Sequence, residues 1–309
     1  MSTKNNQRKK LSNAVKRFIP LYILLIPVLL YYSIFMFAPM AGIIIAFKDY
    51  SFNLGIFGSP WVGFEHFERF FSNGSFRSVF RNTAVISMAR IFFAFPFPIV
   101  FALMLNEVTA IKLKKVIQTL SYLPHFISWI VISGLLFAFF SSNGIVNQII
   151  VALGGTVKPF LSETKLFVWF FVGSAVWKEL GWSAIIYLAA LAGVDPALYD
   201  AATVDGAGRW KQLLHVTLPS IRSVISIMFI LSLANVLTVG FEQTVALINS
   251  SVMSVAETID YYIYRTGLQQ VNNYSYATAV GFFKSAISLV LVLAANWGAR
   301  KIDPDGGLW

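Results

Sequence analysis

The chain has 309 residues, 57% of them hydrophobic and 12% charged, and its formal net charge is +10. So oily a composition excludes an ordinary soluble domain of this length, and the absence of cysteine excludes disulfides and thiolate metal sites. No Gly-x-x-x-x-Gly-Lys-Ser/Thr run occurs, so the chain holds no ATP through a P-loop; the positive charge reads as the loop bias of a membrane protein, with no nucleic-acid partner implied.

Residues 1–17 carry Lys4, Arg8, Lys9, Lys10, Lys16 and Arg17 and read as a basic cytoplasmic arm. The apolar run 18–47 is too long for the core of a signal peptide and long enough to cross a bilayer, for which about 20 residues suffice. Pro27 and Pro39 are expected to kink it. In the segment 48–78, Phe64, Phe67 and Phe71 recur at helical spacing among Glu65, His66, Glu68 and Arg69, the pattern of an amphipathic helix lying in the outer membrane interface. Further spans are predicted at 79–105, bent near Pro96 and Pro98, and at 116–140, 166–193, 221–241 and 274–297. A basic loop with Lys112, Lys114 and Lys115 separates the second span from the third. An outer loop, 141–165, carries turn signals at Asn143-Gly144 and Gly154-Gly155. An outer segment, 242–273, is expected to hold a helix from Ser254 to Gly267, and the tail 300–309 carries Arg300 and Lys301. The fold class is all-α: a polytopic membrane protein whose transmembrane domain, 18–299, has six transmembrane helices in contact with membrane lipid. In the loops and at the ends of the spans, fourteen basic side chains fall on the side of the two termini and seven on the other. That bias puts both termini in the cytoplasm, and an even number of spans agrees by placing them on one side. Three basic residues, Arg90, Lys178 and Lys284, fall well inside spans, away from their ends.

Between the fourth and fifth spans lies a polar stretch, 199–221, with Asp200-Ala201-Ala202, then Gly206, then Val216-Thr217-Leu218-Pro219. Alanine favours helix and glycine permits a turn. Asp200 suits the positive end of a helix, and Pro219 stops one helix or opens the next. The expected product is a short helix–turn–helix knuckle, anchored to the bundle by Leu213, Leu214 and Leu218.

This spacing resembles the EAA loop of permease subunits in binding-protein-dependent ABC importers: Glu-Ala-Ala, three residues, Gly, nine residues, then Ile-x-Leu-Pro. Here Asp200 stands for the usual Glu and Val216 for Ile. The flanks Leu188-Ala189-Ala190-Leu191 and Val204-Asp205-Gly206-Ala207 are similar to the carbohydrate branch, the maltose-type and lipoprotein-and-sugar permeases. Asn143 to Asn147 and Tyr261 to Leu268 resemble outer segments of that branch, near the docking face for a binding protein. The resemblance covers residues 20 to 300. It implies the type I importer fold, a location in the cell membrane, and a heterodimer with a second related permease. It also implies two cytoplasmic ATPase subunits, which bind the ATP and Mg, and an extracellular or periplasmic solute-binding protein. The cargo would be a carbohydrate, preferably an oligosaccharide, carried by alternating access. This chain would need no cofactor and do no covalent chemistry. The resemblance places Asp200, Ala201, Ala202 and Gly206 at the ATPase contact, with Arg209, Lys211, Leu218 and Pro219 beside them.

Charges in hydrocarbon are costly and usually face a cavity or a partner. Lys178 and Glu179 are adjacent, so they are expected to point apart, whereas Lys178 shares a face with Ser174 and Trp182. Lys284 stands in the middle of the sixth span. Such charges read either as a polar pathway for a hydrophilic solute or as pairs between helices. Trp177, Trp182, Tyr187 and Phe170 could stack on sugar rings or face lipid, and Asn235, Glu242 and Gln243 lie near the outer end of the fifth span. The pathway candidates are Trp177, Lys178, Glu179, Trp182, Asn235, Glu242 and Lys284. His66, His125 and His215 lack metal-ligand spacing, and no nucleophile elbow or triad is present. Two other readings remain open: an ion-gradient-driven secondary transporter coupled through Lys178, Glu179 or Lys284, and a membrane enzyme, which would need a clustered catalytic set.

Overall fold

Proline positions and long apolar runs divide the chain into helices. A computed structural model describes residues 18–238, 240–270 and 273–302; the basic arm and the end of the tail lie outside the described residues. No strand forms among them, and an isolated antiparallel bridge joins Lys48 to Trp61. Among the described residues five helices are long and apolar enough to cross a membrane, or six if the bent pair Arg209–Ser220 and Arg222–Ala234 counts as one span.

Helix α1 (Phe18–Phe47) meets Pro39 by changing its winding. Proline supplies no N–H to the turn before it, and the helix widens to a π-turn over Ser33–Phe37 and then tightens to a 3-10 turn over Ala41–Phe47. Every residue from Phe18 to Ala41 is exposed, while Ala46 is buried with Phe67 and Ala279. Helix α2 (Glu65–Ser72) corrects the expected aromatic stripe. It buries His66, Phe67 and Phe70, whereas Phe64 and Phe71 stay exposed. Positions 66, 67 and 70 share a face, and His66 Nε2 lies 3.1 Å from the Lys48 carbonyl oxygen.

Helices α3 (Gly74–Phe93) and α4 (Pro96–Asn106) form one apolar run broken at Ala94-Phe95, because Pro96 and Pro98 donate no hydrogen bonds to the turn before them. The stretch 116–140 is not one helix. Helix α5 (Ile111–Tyr122) gives way at Pro124 to a 3-10 turn, Leu123–Phe126. Ser128 then caps α6 (Trp129–Phe140) by accepting the Val131 N–H. With α7 (Ile145–Ala152), α6 forms the apolar segment Trp129–Ala152. Hydropathy alone ran through a break that Pro124 imposes.

Helix α8 (Thr164–Ala192) is continuous for 29 residues. Gly181 lets α8 lie against the backbone of Ser121 in α5, with no room for a Cβ. After α9 (Pro196–Val204), α10 (Arg209–Ser220) meets α11 (Arg222–Ala234) at 62°. The fifth predicted span, 221–241, is therefore helical only to Ala234, and turns occupy residues 235–237.

The stretch between the fifth and sixth spans holds α12 (Phe241–Leu247), α13 (Met253–Ala256) and α14 (Ile259–Tyr264). The helix expected over Ser254 to Gly267 breaks at Glu257-Thr258 because α3 takes its hydrogen bonds. Asn82 Nδ2 donates to the carbonyls of Ser254 (2.9 Å) and Glu257 (3.3 Å), and Thr83 Oγ1 accepts from the Ile259 N–H (2.9 Å). Helix α15 (Tyr274–Ile302) ends the described chain. Its Tyr276 hydroxyl lies 2.8 Å from that of Tyr262; burial, then this bond, pushes the Tyr262 hydroxyl above the usual tyrosine range. The core forms separate clusters. Ile86, Phe167, Phe171 and Leu247 make one, Phe70, Val79, Ile259 and Tyr276 another, and Ala102, Ala184, Tyr187 and Ile221 a third.

Candidate functional site

The knuckle forms from local rules. Asp195, not Asp200, caps α9: its Oδ1 accepts the Ala197 N–H at 2.9 Å, and Pro196 occupies the first turn. Asp200 lies a turn further in. At the other end Gly206 adopts φ +75°. Its N–H donates to the Thr203 carbonyl (3.0 Å), and that of Ala207 donates to the Ala202 carbonyl (2.8 Å). This is a Schellman closure, which needs a left-handed residue at position 206. The chain then returns along α10. Gln212 Nε2 donates to Thr203 Oγ1 (3.0 Å) and to the Ala207 carbonyl (3.1 Å), and the hydroxyls of Tyr199 and buried Thr217 lie 3.0 Å apart.

Asp200, Ala201, Gly206, Arg209, Lys211 and Pro219 are exposed, and Ala202 and Leu218 are half-buried. Of the expected anchors, Leu213 and Leu218 are half-buried and Leu214 is exposed; the polar bonds from Tyr199 and Gln212 join them in holding the knuckle. Val204 is 88% and Trp210 77% exposed. Both apolar side chains flank the turn at Gly206. Arg209 Nη1 lies 3.7 Å from Glu107 Oε2, an exposed pair that adds little stability.

A second site lies where the fifth span breaks. A cavity of about 370 Å3 opens between α3, α4, α8 and α11, with Ser87, Arg90, Ser183, Tyr187, Ser232, Asn235 and Thr238 as its polar lining. Gly240 takes φ +47°, and a Cβ there would sit 3.1 Å from Arg90 Nη2. Arg90 Nη2 donates to Gln243 Oε1 (2.9 Å), and buried Gln243 donates through Nε2 to the Phe171 carbonyl (2.6 Å) and to Ser174 Oγ (3.0 Å). Ser87 Oγ donates to the Val236 carbonyl at 2.5 Å. Helix α3 thus carries the hydrogen bonds that hold the irregular backbone.

The pathway candidates do not gather in one place. Asn235 lines the cavity. Lys284 reaches Thr238 Oγ1 (3.1 Å) and pairs with Asp260 (2.5 Å). Lys178, Glu179 and Trp182 instead grip the break between α5 and α6. Buried Lys178 donates to the carbonyls of His125 (2.6 Å) and Pro124 (3.3 Å). Glu179 lies 2.8 Å from His125 Nδ1, and the Trp182 ring stacks on His125 at 4.4 Å. Lys178 and Glu179 do approach, to 3.7 Å, because long side chains bend back where short ones would point apart. Trp177 lines an apolar groove with Phe170, and Glu242 is exposed near Trp129 and Tyr264. Arg90 was visible in the sequence only as a charge within a span. Its place beside Gly240 and Gln243 had no local signal. Among the described residues no His/Asp/Glu cluster could hold a metal ion.

Residues 94–305 match the family described as the binding-protein-dependent transport system inner membrane component. The chain belongs to this family. The permease is 46% identical to Protein LplB of Bacillus subtilis (strain 168), over 95% of this chain and 92% of that one. It is 43% identical to the polygalacturonan/rhamnogalacturonan transport system permease protein YteP of the same organism, over 98% and 94%. Among solved structures it resembles a bacterial ABC transporter involved in the import of the acidic polysaccharide alginate. The likeness has 39% identity and a TM-score of 0.88, covering 95% of the permease and 99% of that chain. The alginate transporter was also solved with an alginate pentasaccharide-bound periplasmic protein, with a TM-score of 0.86. The permease is accordingly a multi-pass membrane transport component and not an enzyme.

Proposed function

We propose that this permease forms one half of the pore of an ATP-driven importer that brings an oligosaccharide into the cytoplasm. The observation that carries the reading is the knuckle, an exposed nine-residue helix closed by Gly206 and bonded to α10. A short helix so tethered moves as a unit with the broken fifth span, and its bare Val204 and Trp210 suit a groove on a partner. The partner is a cytoplasmic ATPase, met through Asp200, Ala201, Ala202 and Gly206, with Arg209, Lys211, Leu218 and Pro219 at the edge. Both termini lie in the cytoplasm. A second permease completes the pore, and an external binding protein delivers cargo to the opposite face. The relatives named for polygalacturonan, rhamnogalacturonan and alginate support an oligosaccharide cargo. ATP binding closes the ATPase pair, the knuckle shifts, and the cavity at the fifth-span break opens outward; hydrolysis resets it. An ion-coupled carrier has no support, since Lys178, Glu179 and Lys284 are bonded within the chain.

Because the chain has no cysteine, Ala201→Cys introduces a unique thiol. It should crosslink to the ATPase in the assembled complex and resist an impermeant maleimide added outside sealed cells. Labelling from outside, with no ATPase crosslink, would refute the assignment.

A further inference from the structure

We propose that the cargo is a carboxylated oligosaccharide built of uronic acid units, and that Arg90 pairs with one of its carboxylates in the cavity at the fifth-span break. This rests on the importer reading and narrows it. The cavity holds Arg90 and no carboxylate among its described lining residues. A guanidinium stays charged at any physiological pH and offers five N–H donors. Here Nη2 bonds to the neutral Gln243 amide, and Nε is buried with no acceptor at all. No carboxylate among the described residues lies within ion-pair distance of Arg90. Glu179 is the acid that acts on it across space, but Glu179 is held by His125 at 2.8 Å and lies 3.7 Å from Lys178. The other intramembrane cation nearby, Lys284, is balanced by Asp260. The cavity region therefore keeps one surplus positive charge.

A charge held away from water without a counter-charge is strongly unfavourable. A neutral sugar would be served by the hydroxyl and amide groups already present: Ser87, Ser183, Tyr187, Asn235 and Thr238. It gives no return for the guanidinium. A carboxylate does, because it accepts two parallel N–H bonds from arginine. The bond to Gln243 aims the guanidinium without neutralising it, and Gly240 keeps the approach on that side clear of a side chain.

The test uses the whole transporter, with its companion subunits and binding protein, in ATP-loaded proteoliposomes. The probes are labelled trimers of galacturonate, glucuronate, mannuronate and guluronate, each paired with its carboxyl-reduced neutral counterpart. The wild type should import at least one uronate trimer about tenfold or more faster than its reduced partner, the range set by one charged hydrogen-bonded contact. Arg90→Gln should lower import of that trimer about tenfold or more, with Arg90→Lys recovering part of it. Faster import of the reduced trimers, or undiminished uronate import in Arg90→Gln, overturns the proposal. If Arg90→Gln does not assemble, Arg90→Lys carries the test of the residue, since it keeps the charge and loses the paired N–H donors: undiminished uronate import in that variant overturns the pairing. Import of neutral oligosaccharides only would refute the acidic cargo and leave the importer reading intact. Import of no oligosaccharide would bring down both.

Discussion

Gly206 offers the sharpest test of the knuckle. Its φ of +75° is one that L side chains rarely adopt, and a Cβ added there would meet nothing within 4 Å. The effect of Gly206→Ala is therefore conformational and not steric, and should be about 1–2 kcal/mol. Opposing it are the bonds from Gln212 to Thr203 and Ala207 and the Tyr199–Thr217 bond, each worth about 0.5–1.5 kcal/mol net. The strain thus equals roughly one of these tethers and should lower the population of the closed knuckle about 5- to 30-fold. Gly206→Asn should be milder, because asparagine tolerates left-handed backbone. Gly206→Pro should be worst, since it fixes φ near −65° and removes the N–H that bonds to Thr203. Hydrogen exchange over residues 196–217 in nanodiscs, with recovery of the ATPase on purification, should rank the variants Gly, Asn, Ala, Pro. The helices of the bundle should exchange as in the wild type. Wild-type exchange and full ATPase recovery in Gly206→Pro would refute the argument.

Lys178→Met should destabilise the assembled protein by about 1.5–3 kcal/mol for each carbonyl bond lost, seen as a lower thermal midpoint in detergent; an unchanged midpoint would return Lys178 to the pathway. Gly181→Ala should push α5 away from α8, at about 1–3 kcal/mol, with the loss again read from the thermal midpoint. Breaking the Lys284–Asp260 pair from one side should destabilise by about 3–5 kcal/mol, and Lys284→Met with Asp260→Leu should recover much of that. Additive losses in a double-mutant cycle would mean the two side chains do not act as a pair.

What could be read without the fold was whatever depends on neighbours in sequence. Apolar runs placed α1, α8 and α15, because the price of crossing hydrocarbon is set residue by residue. The knuckle was legible for the same reason: its turn depends on Gly206 and residues within five positions of it. Even there, the sequence put Asp200 near the helix start, a place that belongs to Asp195, whose carboxylate meets the Ala197 N–H.

Tertiary structure decided the rest. Thr83 and Asn82 break the helix expected over Ser254 to Gly267 from more than 170 positions away, Arg90 meets Gln243 across 153, and Lys178 closes the α5–α6 turn across 53. No periodicity encodes such bonds. Polar groups shut away from water take whatever partner the packed helices bring within reach, and that partner is known only once the helices have packed. Composition and local pattern therefore determined that this is a helical membrane protein with a knuckle after its fourth span, and the resemblance of that knuckle to the EAA loop implied a permease. The packed bundle alone decided which intramembrane charges are tied to the protein and left Arg90 facing the cavity without a counter-charge.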